Sequence, residues 1–203
     1  MANIDRPNGF KPVRYMNGAP YNGAHNEYLK VVGLNEAMFI GDIVTLAGSA
    51  GTAALEVRGV SVEGMPTIQL GAVSTDVLGV IVGFKPNADA LSTNHSPALT
   101  AAIVMVADDP DLVFEIQEDS DSVSFGAVDV GRNVDSIAYA AGNTTTGQSI
   151  LELDSSVTSV TTTAMCQLLR LVPRPGNNIG TNARWEVRFV EHVYRANDPS
   201  VGV

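Results

Sequence analysis

Few side chains in this sequence have chemistry to offer: three histidines, one cysteine and one acidic run. His25, His95 and His192 each lack a second His, Cys or carboxylate at metal-ligand spacing, and the zinc-finger and metalloprotease patterns are absent. They read as solvated or structural imidazoles. Cys166 lies in the apolar run Ala164–Met165–Cys166–Gln167–Leu168–Leu169 and reads as a small buried hydrophobe. A single cysteine also excludes a disulfide within the chain. Gly48–Ser49–Ala50–Gly51 lacks the first glycine of a nucleophile elbow at the right offset and looks like a hairpin turn. The remaining glycines are scattered and form no phosphate-binding or dinucleotide fingerprint.

The acidic run is the one suggestive cluster. Asp108, Asp109 and Asp111 precede Leu112–Phe114, and Glu115, Glu118, Asp119 and Asp121 follow. Converging carboxylates can hold Ca²⁺, and two of them across a cleft can hydrolyse a glycoside. The spacing is not that of an EF-hand. Aromatics make up only 6% of the chain, and Phe114 and Phe125 are the ones near the tract. A solvated acidic face is the stronger reading, and Asp-Asp-Pro-Asp is turn chemistry in itself. The expectation is a non-enzyme with no catalytic residue, no metal ligand and no cofactor.

The elements that would position such groups are strands. Short apolar runs rich in Val, Ile, Leu and Thr alternate with Gly, Pro, Asn and Asp breakers. The runs are Met38–Ala47, Leu55–Val62, Thr67–Val73, Val77–Phe84, Leu99–Ala107, Leu112–Gln117, Ser149–Leu153, Ala164–Val172 and Arg184–Tyr194. The pattern predicts an all-β chain, an antiparallel barrel or sandwich of about nine to ten short strands with little helix. The best helical candidate is one short turn at Ser124–Val130, with Ser124 as N-cap. In Arg184–Trp185–Glu186–Val187–Arg188–Phe189 the charged and apolar positions alternate, which predicts one wet and one buried face, with Trp185 in the core. The last two runs flank Pro173–Gly180 and predict a long hairpin with a protruding loop.

Residues 1–30 carry Pro7, Gly9, Pro12, Gly18, Pro20 and Gly23, yet also Phe10, Tyr15, Tyr21 and Tyr28. They read as an extended arm that packs on its own domain or reaches a neighbouring subunit. The domain reading is an arm over 1–30, a β domain over 31–195 with room for two sub-barrels divided near 108–148, and a flexible tail over 196–203. With 45% hydrophobic and 17% charged residues, the chain is not of disordered composition. No apolar stretch approaches a membrane span, and the start has no signal-peptide core.

Net charge is −10, which disfavours nucleic acid as a direct partner. Its distribution is uneven. Residues 1–30 have four basic and two acidic side chains, and 164–195 have five and two; residues 31–163 have three and seventeen. This is either solubility and chance, or basic ends that dock on an acidic partner while the acidic body faces solvent.

Several segments carry a resemblance: RPNGFKPVRYMNGAPYNG, MFIGDIVTLAGSA, VLGVIVGF, ADDPDLVFEIQED and LVPRPGNNIGTNARWEVRFVEHVYR. Together they are similar to structural head proteins of tailed bacteriophages, and MFIGDIVTLAG with VLGVIVG resembles short capsid cement proteins. This chain is longer than those. The resemblance implies a decoration protein on the capsid exterior of a virion, assembled in the host cytoplasm. Its implied partner is the major capsid protein, with a homo-oligomer, trimer or dimer, on the lattice. Within that reading the interface residues are Phe10, Arg14, Tyr15 and Tyr21 of the arm, and Arg174, Asn177 and Asn178 of the hairpin loop. A tail or connector subunit is one alternative. A receptor-binding or carbohydrate-active protein using the acidic tract is the other.

Overall fold

A computed structural model describes residues 3–195 apart from 53–55, 58, 72–75, 89, 138–141 and 160–163. The tail expected over 196–203 lies outside the described residues. The chain is all β. Among the described residues, thirteen strands and one 3₁₀ turn, Ala127–Asp129, make up the regular structure. The turn begins after Gly126, whose N–H donates to the Asp129 carboxylate at 2.8 Å, so Ser124 is not its cap.

Five strands close a barrel: β2 (Asn26–Lys30), β6 (Pro66–Leu70), β3 (Ile43–Ala50), β7 (Gly79–Phe84) and β8 (Ala102–Ala107). Four of its seams are antiparallel, and the β2–β6 seam is parallel at Leu29↔Thr67. Two short strands, β4 (Glu56–Val57) and β5 (Val60–Ser61), form a separate ribbon. Tyr28, Val44, Ile68, Ile81 and Val104 belong to one buried cluster of the barrel. Polar side chains close it. At β2's end the buried Lys30 ammonium donates to Pro97 O at 2.6 Å and Ser96 Oγ at 3.2 Å. Burial lowers its pKa to about 8. Towards β2's start, Tyr28 O–H donates to Asp108, and Asn26 Nδ2 donates to the same carboxylate at 2.9 Å.

The second sheet has the order β1 (Lys11–Tyr15), β9 (Leu112–Gln117), β13 (Arg184–Phe189), β12 (Cys166–Leu171), β10 (Asn133–Ser136), β11 (Leu153–Ser159), all antiparallel. It curls until Glu118, just past β9, bridges Leu153 of β11. Leu112, Phe114 and Ile116 alternate inward on β9, as Trp185, Val187 and Phe189 do on β13. Ile43, Val80 and Ala107 of the barrel join this cluster, so one core fuses barrel and sheet.

The first thirty residues belong to this framework and hold two strands, β1 and β2, despite their breakers. Gly9 has φ +67°, and a Cβ there would lie 2.5 Å from Gly41 O. Only glycine allows that approach, across which Phe10 N–H donates to Gly41 O at 2.9 Å. Phe10 then enters the core at 2% exposure, 5.2 Å from the Phe189 ring and 6.3 Å from that of Phe114. Burial of such a ring contributes about 1.5–3 kcal/mol, and the cavity left by its loss adds to the cost. Phe10→Ala is expected to lower the unfolding free energy by about 3–5 kcal/mol in urea titration; a loss under about 1 kcal/mol would show that the arm is not part of the core.

Candidate functional site

The outer face of the second sheet carries four ion pairs on two glutamates. The alternation of β13 leads to an expectation of wet positions at Arg184, Glu186 and Arg188, but Glu186 is buried. β13 is central in the sheet, and arginines from neighbouring strands lie over it. Glu186 stands directly opposite Glu115 of β9, a like-charge cross-strand pair that is unfavourable by itself. Each carboxylate takes two guanidiniums. Arg14 of β1 and Arg170 of β12 bind Glu186 at 2.6 and 2.7 Å. Arg174 and Arg184 bind Glu115 at 3.0 and 3.6 Å. Burial pushes the Glu186 carboxyl up, but the bonds from Arg170 and Arg14 outweigh it and hold the group below its usual range.

The extreme N-terminal segment runs across this face. Asn3 Nδ2 donates to the carbonyls of Asn178, Gly180 and Thr181, and Asn178 N–H donates back to Asn3 Oδ1 at 3.0 Å. Arg6 N–H donates to Gln117 Oε1 at 3.0 Å, and Arg184 donates to Asn8 Oδ1 at 2.8 Å. Gln117, fully buried, donates to Asp5 and Glu152. The arm and the β12–β13 loop, read from the sequence as two basic ends, thus form one surface. Between them lies a groove of about 410 Å³.

The seven expected interface residues divide sharply. Arg174 is exposed at the groove, and Asn178 is exposed in the loop with its N–H on Asn3 Oδ1. Asn177 is half-buried and structural: its amide donates to Val172 O and Arg184 O, and its Oδ1 accepts Arg184 N–H, which closes the loop. Arg14 is committed to Glu186, and Tyr15 and Tyr21 are partly buried against the core. Phe10 lies inside the core and has no surface to offer a partner. Sequence reasoning missed Ile4 (67% exposed) and Ile179 (53%), large apolar side chains on the arm and on the loop. Their flanking prolines, glycines and asparagines were the available signal.

The acidic tract is not one face. Asp108 is buried against Tyr28 and Asn26, Glu115 is in the arginine ladder, and Asp109 caps the turn at Asp111. Among the described residues, the one metal-compatible group of three or more acidic, histidine or cysteine side chains is Asp119, Asp121 and Asp154. Ser155 Oγ lies among them, 2.6 Å from Asp119 and 3.2 Å from Asp121. His25 is exposed, His95 stacks on Phe39, and His192 is buried with Nδ1 accepting Tyr194 N–H. Cys166 is fully buried, which pushes its thiol pKa up.

Glu118 is the buried acid with a consequence. It accepts Trp185 Nε1–H at 2.8 Å and Phe125 N–H at 3.3 Å on one oxygen, while the other has no partner. Burial raises its pKa to about 7, against those two bonds and the Ser124 side chain. Comparison with protein-family models, curated proteins and solved structures finds no match.

A raised carboxyl pKa means that the folded state holds the proton more tightly than the unfolded chain. The stability from this group is therefore complete below the ordinary carboxyl range and is lost as pH rises through about 7. Glu118→Gln should remove that loss. The stability change from pH 5 to pH 8, measured by urea unfolding, is expected to shift in favour of pH 8 by on the order of 2 kcal/mol relative to wild type. A fluorescence titration of Trp185 with a midpoint near 7 should vanish in the same variant. Identical pH profiles for the two proteins would refute the assignment.

Proposed function

We propose that this chain is a non-enzymatic structural protein of a tailed-phage virion that binds the outside of the capsid lattice and stabilises it. The observation that carries the reading is the preformed surface on the second sheet. Arm and hairpin loop, at opposite ends of the chain, lock together through Asn3 and Asn178 and present exposed isoleucines beside exposed arginines. A core and a buried polar network stand behind that surface, so little ordering is needed on binding.

The physical role follows from copy number. A shell under internal pressure fails where capsomers separate, and a protein bridging neighbouring subunits adds its binding free energy to that separation. Many copies multiply the effect without strong single contacts. Closed trimers, or dimers across two-fold positions, are the natural stoichiometries.

The test is to mix the purified protein with expanded heads of the encoding phage, sediment them and image the pellet by cryo-electron microscopy. Density at every equivalent lattice position, with heads that then survive more heat, is the expected result. Density confined to one vertex or the tail would assign the chain to a tail or connector, and absence of co-sedimentation would remove the capsid reading.

A further inference from the structure

The arginine–glutamate ladder is unbalanced. Four guanidiniums share two carboxylates, and the sharing is layered. The glutamates lie beneath, with side chains 7% and 12% exposed, while Arg170 and Arg174 lie outermost at 53% and 44%. Arg6 adds a third outward cation; among the described residues its guanidinium has no carboxylate partner. Asp5 and Glu152, also at this face, accept from the amide of Gln117, and among the described residues no acid lines the groove beside Arg6, Arg174 and Arg184. A chain of net charge −10 thus shows its partner cations here.

The groove beside them is lined by Ile4, Arg6, Arg174, Pro175, Asn182 and Arg184 among others. Ile4 lines it, and Ile179, outside the lining, is exposed in the loop that Asn3 holds. A small inorganic anion would cover neither isoleucine. A nucleic acid would want aromatic stacking platforms, and no aromatic side chain lines this groove. A carboxylate on a polypeptide can take a two-pronged bond from an exposed guanidinium while a neighbouring aliphatic side chain covers Ile4 and Ile179.

We propose that this groove receives an acidic, aliphatic segment of the partner protein, whose carboxylates engage Arg174 and Arg6 of the lining and, one cross-strand pair along the ladder, Arg170. The proposal rests on the reading of this face as the docking face and gives the chemistry of what docks there.

The layering also makes the test clean. In Arg170→Gln/Arg174→Gln, Glu186 keeps Arg14 and Glu115 keeps Arg184, so each carboxylate stays paired and the fold is retained. A labelled nonapeptide alternating glutamate with isoleucine and glycine is titrated with the full-length protein and followed by fluorescence anisotropy. Its glutamine counterpart and a single-stranded oligonucleotide of equal charge are run beside it. The glutamate peptide is expected to bind, the glutamine peptide about tenfold more weakly, and the double variant to lose about tenfold in affinity for the glutamate peptide. Absence of peptide binding, equal affinity of the double variant, or tighter binding of the oligonucleotide would overturn the proposal. Head co-sedimentation of both proteins separates the two levels. Equal binding of wild type and variant to heads defeats the groove chemistry and leaves the capsid reading standing, whereas no binding by wild type defeats the capsid reading.

Discussion

The contact on which the rest depends is the close approach of Gly9 to Gly41. Two backbones meet where neither residue has a Cβ, and the hydrogen bond from Phe10 N–H to Gly41 O fixes the arm to the turn before β3. From that point the chain runs in two directions with two results. Forward, Phe10 enters the core shared by barrel and sheet, and β1 pairs with β9. Backward, residues 3–8 are laid over the outer face of β9 and β13, where Asn3, Arg6 and Asn8 find their partners. The glycine contact anchors one end of this segment, and the hydrogen bonds of Asn3, Arg6 and Asn8 hold the rest against the sheet.

The polar network under the arm solves a problem set by strand register. Pairing β9 with β13 so that Phe114 and Trp185 face inward places Glu115 opposite Glu186 on the other side. A one-residue slip would relieve the repulsion but would turn the apolar row of the slipped strand outward, and the core term is far larger than that of one like-charge pair. The repulsion is met instead by arginines from β1, β12, the hairpin loop and β13 itself. Neutralising each carboxylate with two guanidiniums exceeds what charge balance requires, and the excess appears at the surface. A cationic patch on an acidic protein is thus a consequence of core register.

Where local composition and tertiary environment agree, the sequence was readable. Of the apolar runs that became strands, β12 alternates buried and wetter positions, while β7, β8 and β9 are buried at successive positions on both faces, and both patterns are readable as short apolar runs. The strands it concealed are those whose pairing is set by neighbours. β1 and β2 stand among prolines and glycines, β10 reads Asn-Val-Asp-Ser, and β11 is Ser/Thr-rich and lies later than the expected run at 149–153. None has a strong propensity alone; each is held as a strand by a ladder partner. The site was legible as charge, not as geometry. The basic ends stood out, but their meeting through Asn3 and Asn178, residues 175 positions apart, has no local signature. The same limit explains the acidic tract. Strand alternation sends Glu115 and Glu118 to opposite faces, and one run of acids ends in separate environments.

A preformed docking surface and a folding-on-binding arm make different physical demands. A free arm would have to be ordered at the interface, at roughly 1–2 kcal/mol of backbone entropy per residue. Here that cost is met during folding, because the arm supplies core and sheet contacts to its own chain. A partner then meets a surface whose arginines are already oriented by the glutamates beneath them. Such a surface can bind weakly at each site and still act collectively when presented at regular spacing on a lattice. Under the reading proposed above, a preformed groove with outward cations and an exposed isoleucine in its lining fits many equivalent modest contacts.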